Sequence, residues 1–123
     1  MKKSSESVEN YLESILIIAQ RKGTVHSIDI ANELEYTKPS VSVAMKNLRK
    51  SGHIVVDGEG HITLTDSGRG IAQSMYDRHT LISDWLIRLG VDREIALRDA
   101  CKMEHSMSEQ SFSVIRNHIE TLI

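Results

Sequence analysis

The chain has 123 residues, of which 40% are hydrophobic and 26% charged, and its formal net charge is −2. This composition is ordinary for one small globular domain, or for one domain with a helical extension. It excludes a membrane span, because the longest apolar run (15–19) is far shorter than the ~20 residues required. We expect no secretion signal and, with Cys101 as the single cysteine, no internal disulfide, which is typical of a cytoplasmic protein.

The charges are unevenly distributed along the sequence. Residues 38–69 carry five basic and three acidic side chains, whereas both flanking segments have more acidic than basic ones. A locally basic middle third is compatible with nucleic-acid binding, but the asymmetry is too modest to decide it.

The spacing of apolar residues predicts a first helix over residues 7–20, with the i, i+3, i+4, i+7 pattern of an amphipathic helix. Asn10, Glu13 and Ile17 line up on the face opposite the apolar stripe. A solvated face is the common explanation for two polar residues in such a place, but it does not explain Ile17.

Two short helices are predicted next. Gly23 ends the first helix, and Ser27 is a suitable N-cap for a helix over 28–34. After a tight turn, Pro39 favours the start of a third helix that continues to Lys50. Because the third helix starts with hydroxyl side chains and carries basic ones, the pair is typical of a helix-turn-helix.

Two β-branched segments, 54–56 and 62–64, follow these helices and are separated by the glycine-rich sequence at 57–61. We predict a β-hairpin, the wing of a winged helix-turn-helix. A winged helix that binds protein, with an ordinary cap and solvated face, is the alternative to DNA binding. Where it binds DNA, the predicted contacts to phosphates and bases lie around the start of the third helix: Ser27, Thr37, Lys38, Pro39, Ser40, Ser42, Val43, Lys46 and Arg49.

Three more helices are predicted after the wing. The first is capped by Thr65 and runs to Leu89. The other two run from Arg93 to about His105 and from Glu109 to Ile123, with Asp92 and Ser108 as their caps. The last helix keeps apolar residues up to its end, and such a surface needs a partner. The predicted fold is therefore mainly α with a small β-hairpin: a winged helix-turn-helix domain at residues 1–70, followed by a helical dimerisation domain at residues 71–123.

The segment Cys101-Lys102-Met103-Glu104-His105 places a thiol, a carboxylate and an imidazole at positions i, i+3 and i+4. At about 100° per residue, these side chains lie within about 60° of one helix face. A thiolate, a carboxylate and an imidazole in this arrangement can bind a divalent transition metal.

Glu104 is the most informative member of this segment, because we expect it to share a helix stripe with Leu97, Ala100 and Cys101. A buried carboxylate costs roughly several kcal/mol unless it is paired or bound to a cation. His79 also falls within an apolar stripe, on the preceding helix. A core histidine and an inert free cysteine are common explanations for each residue alone, but their coincidence on two consecutive helices favours a metal site.

Four segments resemble the iron- and manganese-dependent repressors, the diphtheria toxin repressor family, over nearly the whole chain. They are Val8-Glu9-Asn10-Tyr11-Leu12-Glu13, Thr37-Lys38-Pro39-Ser40-Val41-Ser42, Arg78-His79 and Asp99-Ala100-Cys101-Lys102-Met103-Glu104-His105. The resemblance implies a homodimer that binds operator DNA when a divalent metal is bound and that represses metal-uptake genes. It is to the short form of the family, without the SH3-like domain.

The resemblance also implies two adjacent metal sites. One would use Asn10, Cys101, Glu104 and His105; the second would use Glu13 and His79, with Glu104 as a candidate bridge. Asn10 stands where the iron repressors carry Met and the manganese regulators carry Asp, whereas Glu13 matches the manganese branch. The thiolate of Cys101 favours Fe²⁺ over Mn²⁺, since manganese prefers oxygen ligands.

Two further functions fit parts of the sequence. A winged-helix repressor that needs no metal would respond to a small molecule or to oxidation of Cys101. An enzyme would use Cys101 and His105 as a nucleophile pair, but we see no oxyanion-stabilising glycine loop and no Asp or Asn placed to orient the imidazole. We therefore expect no enzymatic activity.

Overall fold

A computed structural model describes the backbone of residues 2–122 and the side chains of residues 7–122. Within this part the chain forms six helices and a two-stranded sheet, in the order α1 (Lys2–Lys22), α2 (Ser27–Leu34), α3 (Lys38–Lys50), β1 (Ile54–Val56), β2 (Ile62–Leu64), α4 (Asp66–Arg88), α5 (Arg93–Glu104) and α6 (Glu109–Thr121). The mainly α fold with one hairpin is thereby confirmed. The chain divides into two compact units, the first ending at Ser74 and the second beginning at Met75.

Helix α1 is the central element of the first unit, where it contacts α2, α3 and β2. Residues 11–16 are all buried, and so is Ile18. Because Glu13 is only 6% exposed, a solvated face does not explain this carboxylate. The helix continues past the predicted end to Lys22, after which Gly23 has a left-handed φ of 92° and stops it.

Helices α2 and α3 form the predicted helix-turn-helix, in contact with each other. The prediction that Ser27 caps α2 is wrong, because Ser27 is already the first helical residue and His26 is the N-cap. The backbone N–H of His26 donates a hydrogen bond to Asp29 Oδ2 at 2.9 Å, and this carboxylate thereby holds the start of α2. Thr37 is the N-cap of α3, and Pro39 lies in its first turn.

The hairpin has the predicted bounds, with β1 and β2 antiparallel and Val55 opposite Thr63. Asp57 Oδ1 accepts hydrogen bonds from the backbone N–H groups of Glu59 and His61, both at 2.9 Å, so this side chain orders the tip.

The hairpin is anchored at both sides. The N–H of Ile62 donates to the carbonyl of Val25 at 2.8 Å, which attaches the chain before α2 to β2. At the start of α4, a Cβ atom on Gly68 would lie 2.0 Å from the carbonyl oxygen of His53. Only glycine permits so close an approach of α4 to the residue that precedes β1.

The second unit consists of α4 from Met75 onward, α5 and α6. Its core contains Ile82, Ala100 and Phe112, one residue from each helix, and half-buried residues pack around them: Leu81, Leu86, Met103 and Met107. Ser108 caps α6, since its hydroxyl oxygen accepts from the N–H of Ser111 at 3.1 Å. Asp92 is the N-cap of α5, but its side chain makes no capping hydrogen bond.

No helix between residues 2 and 122 combines the length and apolar character that crossing a membrane requires.

Candidate metal centre and DNA-binding surface

The candidate metal centre is built at the C-terminal end of α5. The buried stripe of this helix is Ala96, Ala100 and Glu104, so the carboxylate occupies the third position of a series with i, i+4 spacing. The stripe differs from the prediction, because Leu97 is half-buried and Cys101 is exposed. Glu104 itself is 0% exposed, so the predicted burial of its carboxylate is confirmed.

Two imidazoles face the two oxygens of this carboxylate. His79 Nδ1, from α4, lies 3.2 Å from Glu104 Oε2, and His105 Nε2 lies 3.3 Å from Glu104 Oε1. The His105 side chain is 4% exposed and the His79 side chain 22%. The structure thus brings a histidine of α4 and one that directly follows α5 to opposite oxygens of a single buried carboxylate.

The thiol of Cys101 completes the predicted set on α5. One donor atom from each of Cys101, Glu104 and His105 lies within 4.8 Å of the other two. His105 is the C-cap of α5 and keeps near-helical angles, φ −92° and ψ −9°, so the i, i+3, i+4 relationship survives although the helix ends at Glu104. Sulfur, oxygen and nitrogen donors at such separations are chemically suited to a divalent transition metal, whose charge would offset the burial of the carboxylate.

The other two predicted ligands, Asn10 and Glu13, lie on α1 in the first unit. Asn10 is half-buried and Glu13 is buried, and both stay predicted ligands. In the second unit, Ser83 is also buried, and its hydroxyl donates to the carbonyl of Thr80 at 3.2 Å. This hydrogen bond within α4 satisfies the buried hydroxyl group of Ser83.

Arg78 belongs to one of the four segments that carry the family resemblance, but the sequence reasoning assigned it no role of its own. Its guanidinium is buried and donates to the backbone around the end of α5. The signal in the sequence was available: Met75, Arg78 and Ile82 have helical spacing, and all three are buried. A charged residue within an apolar stripe indicates a buried polar contact.

The candidate DNA-binding surface is the solvent-facing side of α3 in the first unit. Val41, Met45 and Leu48 face the core, which leaves the predicted contact residues outside. Ser27 is half-buried, whereas the others are exposed: Thr37, Lys38, Pro39, Ser40, Ser42, Val43, Lys46 and Arg49.

Two shallow grooves run along this surface and meet at Ser27 and Ser42. The first, of about 260 Å³, is also lined by Ile28 and Lys38. The second, of about 210 Å³, is also lined by Lys46 and Arg49 of α3, by Met45 and by Val56 of the wing. The first unit therefore combines hydroxyl groups and cations in a continuous concave surface, which is suited to phosphate contacts.

Thr37 also has a structural role at the start of α3. Its hydroxyl donates to Ser40 Oγ at 2.9 Å, and its oxygen accepts from the N–H of Ser40 at 3.3 Å. The N-terminal cap of α3, which the sequence offered as an alternative explanation for these hydroxyl residues, is thus present. It does not compete with phosphate binding, because a capped helix N-terminus on an exposed surface still presents backbone N–H groups to anions.

Together these features define a winged helix-turn-helix protein with a cluster of transition-metal donors in a separate helical unit. Residues 3–62 match the model of the N-terminal DNA-binding domain of iron-dependent repressors, and residues 65–122 match that of their metal-binding and dimerisation domain. The chain belongs to the iron-dependent repressor family.

Individual relatives agree with this assignment. The transcriptional regulator MntR of Escherichia coli O6:H1 is 33% identical over 111 residues, which are 90% of this chain and 72% of that protein. The crystal structure of T. acidophilum IdeR superposes with a TM-score of 0.80 at 25% identity, over 91% of this chain and 53% of that one. A manganese-dependent transcriptional repressor in complex with manganese gives a TM-score of 0.81 at 28% identity, over 92% of this chain and 52% of that one. The chain thus spans about half the length of these two solved structures.

Proposed function

We propose that the protein is a homodimeric transcriptional repressor that binds operator DNA when a divalent metal is bound at the end of α5. The observation that carries this proposal is the environment of Glu104. Its carboxylate is 0% exposed, and its two oxygens lie 3.2 and 3.3 Å from the imidazoles of His79 and His105. The exposed thiol of Cys101 adjoins the same cluster.

The proposed ligands follow the two predicted sites. Cys101, Glu104 and His105 form one site together with Asn10, and His79 and Glu13 form the second, with Glu104 as the bridge. A metal ion would add positive charge beside a buried carboxylate that two imidazoles already face. The chain itself provides the arrangement of the ligands: Glu104 is buried on α5, and the imidazoles of His79 and His105 lie against its carboxylate.

Metal binding and DNA binding are coupled, in this proposal, because the ligands come from both predicted domains, residues 1–70 and 71–123. Ligands on α1 restrict the arrangements available to the DNA-binding domain, and the dimer then presents its two recognition helices at a fixed separation. Operator half-sites about 34 Å apart, or a multiple of that distance, fit such a dimer. A preference of a few kcal/mol for the competent arrangement is enough to switch occupancy.

The donor set favours one metal over the other. A thiolate favours Fe²⁺ over Mn²⁺, and Cys101 is therefore the residue that favours iron. One solved relative is manganese-dependent, so the relatives do not support this preference. We propose divalent metal in general as the effector, with Fe²⁺ as the first ion to test. The expected targets are genes for metal uptake, and the expected location of the protein is the cytoplasm.

An anaerobic calorimetric titration of the reduced, metal-free protein with Fe²⁺ and with Mn²⁺ tests the proposal. We expect saturable binding of up to two equivalents per chain, and the effector is the ion whose binding also raises the affinity for operator DNA. Glu104→Ala should abolish this binding. Glu94→Ala is the matched control, because Glu94 lies exposed in the first turn of the same helix.

Retained metal binding in Glu104→Ala would contradict the proposed site, and absence of saturable binding in the wild type would contradict the proposed function. In that second case the exposed thiol of Cys101 favours the alternative, a metal-independent winged-helix repressor that responds to oxidation or to a small molecule. Operator affinity that is unchanged by a chelator but altered by peroxide, and insensitive to peroxide in Cys101→Ser, would identify it.

A further inference from the structure

The guanidinium of Arg78 is buried in the second unit and connects three helices. Its side chain is 7% exposed. Nη1 donates to the carbonyl oxygens of Glu104 at 2.9 Å and Met107 at 3.1 Å, and Nη2 pairs with Glu109 Oε1 at 2.5 Å. The guanidinium carbon also lies 4.8 Å from the centre of the Phe112 ring. One side chain of α4 therefore holds the end of α5, the connection after it and the first turn of α6.

Arg78 and His79 are adjacent in sequence, and both reach Glu104. His79 faces the carboxylate, with Nδ1 3.2 Å from Oε2, whereas Arg78 binds the carbonyl of the same residue. The backbone of Glu104 and its side chain are thus both held from one turn of α4. His105 follows immediately, so its position depends on the same carbonyl and on that of Met107 two residues later.

The end of a helix is where such support is most needed. The last carbonyls of α5 have no helical N–H partner, and the final turn of a helix frays unless its carbonyls are bound. A guanidinium offers several donors in a rigid fork, and it stays charged, so it can hold two carbonyls and a carboxylate at once. A lysine has the charge but lacks this fork.

We propose that Arg78 is a positioning residue for the metal site: it holds the segment from Glu104 to Met107 so that the carboxylate of Glu104 and the imidazole of His105 converge on one ion. This inference rests on the proposed metal-binding function. Arg78 does not contact the ion itself, and it acts through the backbone of the ligand segment. Residues that orient metal ligands typically change metal affinity by about 10- to 100-fold when they are replaced.

Arg78→Lys tests the role of the fork while keeping the charge. Co²⁺ is the probe, because its absorption spectrum reports the number and arrangement of ligands, and a thiolate–cobalt charge-transfer band reports Cys101. We expect Arg78→Lys to bind Co²⁺ about 10-fold or more weakly than the wild type, with altered d–d bands. Unfolding of the metal-free variant in urea shows whether the protein is folded under the conditions of the titration.

Two further variants separate positioning from general stability. Glu109→Gln removes the charge partner of Arg78 but leaves both carbonyls in place, so we expect an intermediate reduction in Co²⁺ affinity. Arg116→Lys is the matched control, because Arg116 is on α6 with its guanidinium carbon 5.2 Å from the centre of the same Phe112 ring. We expect it to leave the affinity and the spectrum unchanged.

The outcomes are distinguishable. A folded Arg78→Lys with wild-type affinity and spectrum would overturn the positioning role while leaving the metal site intact. If Arg78→Lys does not fold, Glu109→Gln decides: an unchanged spectrum and affinity in that variant would contradict the inference. A wild-type protein that binds no Co²⁺, Fe²⁺ or Mn²⁺ would instead contradict the proposed function.

Discussion

His79 Nδ1 lies 3.2 Å from Oε2 of Glu104, whose side chain is 0% exposed. A carboxylate excluded from water is stabilised only by what is placed against it, and here an imidazole from another helix is one such group. The same pair is compatible with an ion pair in the metal-free protein and with two ligands of one metal. Removing the carboxylate distinguishes the two roles, because only the second depends on metal concentration.

Glu104→Gln should therefore separate folding from metal binding. The amide keeps the volume but removes the carboxylate that faces the two imidazoles, so we expect the metal-free variant to be less stable than the wild type, by up to about 3 kcal/mol. Metal at about 100 times its dissociation constant should stabilise the wild type by about 2.7 kcal/mol and leave the variant unchanged. Thermal unfolding with and without metal measures both quantities.

Asp29 provides a test of the helix-turn-helix by pH. The ammonium of Lys22, at 2.7 Å, and then the backbone N–H of His26 lower the pKa of Asp29 below its ordinary value of 3.8. The carboxylate is thus more strongly stabilised when folded, and its contribution is complete above the unfolded pKa and disappears as the pH falls through the folded pKa. Asp29→Asn should cost about 1 kcal/mol at neutral pH.

The cost of Asp29→Asn should begin to decrease as the pH falls below the ordinary pKa of 3.8, and it should disappear below the lower pKa of the folded protein, where both proteins carry a neutral side chain at this position. Urea unfolding of the two proteins at several pH values measures the difference. Glu120→Gln is the control, because Glu120 is an exposed acidic residue of α6, in the second unit. A difference between wild type and Asp29→Asn that is constant with pH would contradict the assignment to the Lys22 pair.

The sequence predicted the hairpin and the donor cluster because both depend on short-range spacing. The β-branched segments 54–56 and 62–64 flank two glycines, and Cys101, Glu104 and His105 are set by the pitch of one helix. Such features are fixed within a few residues of the chain, and the structure has them where they were predicted.

Features that depend on distant partners could not be predicted in the same way. Leu97 and Ala96 both have helical spacing to Ala100 or Glu104, so the short α5 did not reveal which stripe is buried. The burial of Glu13 likewise does not follow from the polarity of its own helix face. Arg78 binds a carbonyl 26 residues away, and no local pattern indicates which backbone group a buried guanidinium meets.

The proposed DNA surface predicts a change in salt dependence for Lys46→Ala and Arg49→Ala. Both side chains line the groove between α3 and the wing, and we expect them to contact phosphates. Each substitution should weaken binding to all DNA sequences to a similar extent. It should also reduce the slope of log affinity against log salt by about 1 for each phosphate that is no longer neutralised. Fluorescence anisotropy at several salt concentrations measures the slope.

Arg88→Ala is the control for these two variants, since Arg88 ends α4 in the second unit. Its slope should equal that of the wild type. Equal slopes in the wild type and all three variants would argue that the α3 surface binds something other than DNA, in agreement with the protein-binding alternative.

Val43 leads to a prediction about base recognition. It lies on the exposed side of α3 and is 61% exposed, between the hydroxyl of Ser42 and the cation of Lys46. An apolar side chain among polar contacts in the major groove is suited to the methyl group of thymine. We expect Val43→Ala to weaken operator binding by about 4-fold, because burying one methylene group contributes about 0.8 kcal/mol of binding free energy.

Replacing thymine by deoxyuridine tests this contact, because it removes only the methyl group. In an operator selected from randomised DNA, replacing one particular thymine in each half-site should weaken binding of the wild type but have little effect on Val43→Ala. Thymines elsewhere in the operator are the matched controls. Additive effects at every thymine position would mean that Val43 does not contact a base methyl, and sequence preference would then arise from DNA shape and from the hydroxyl groups at the start of α3.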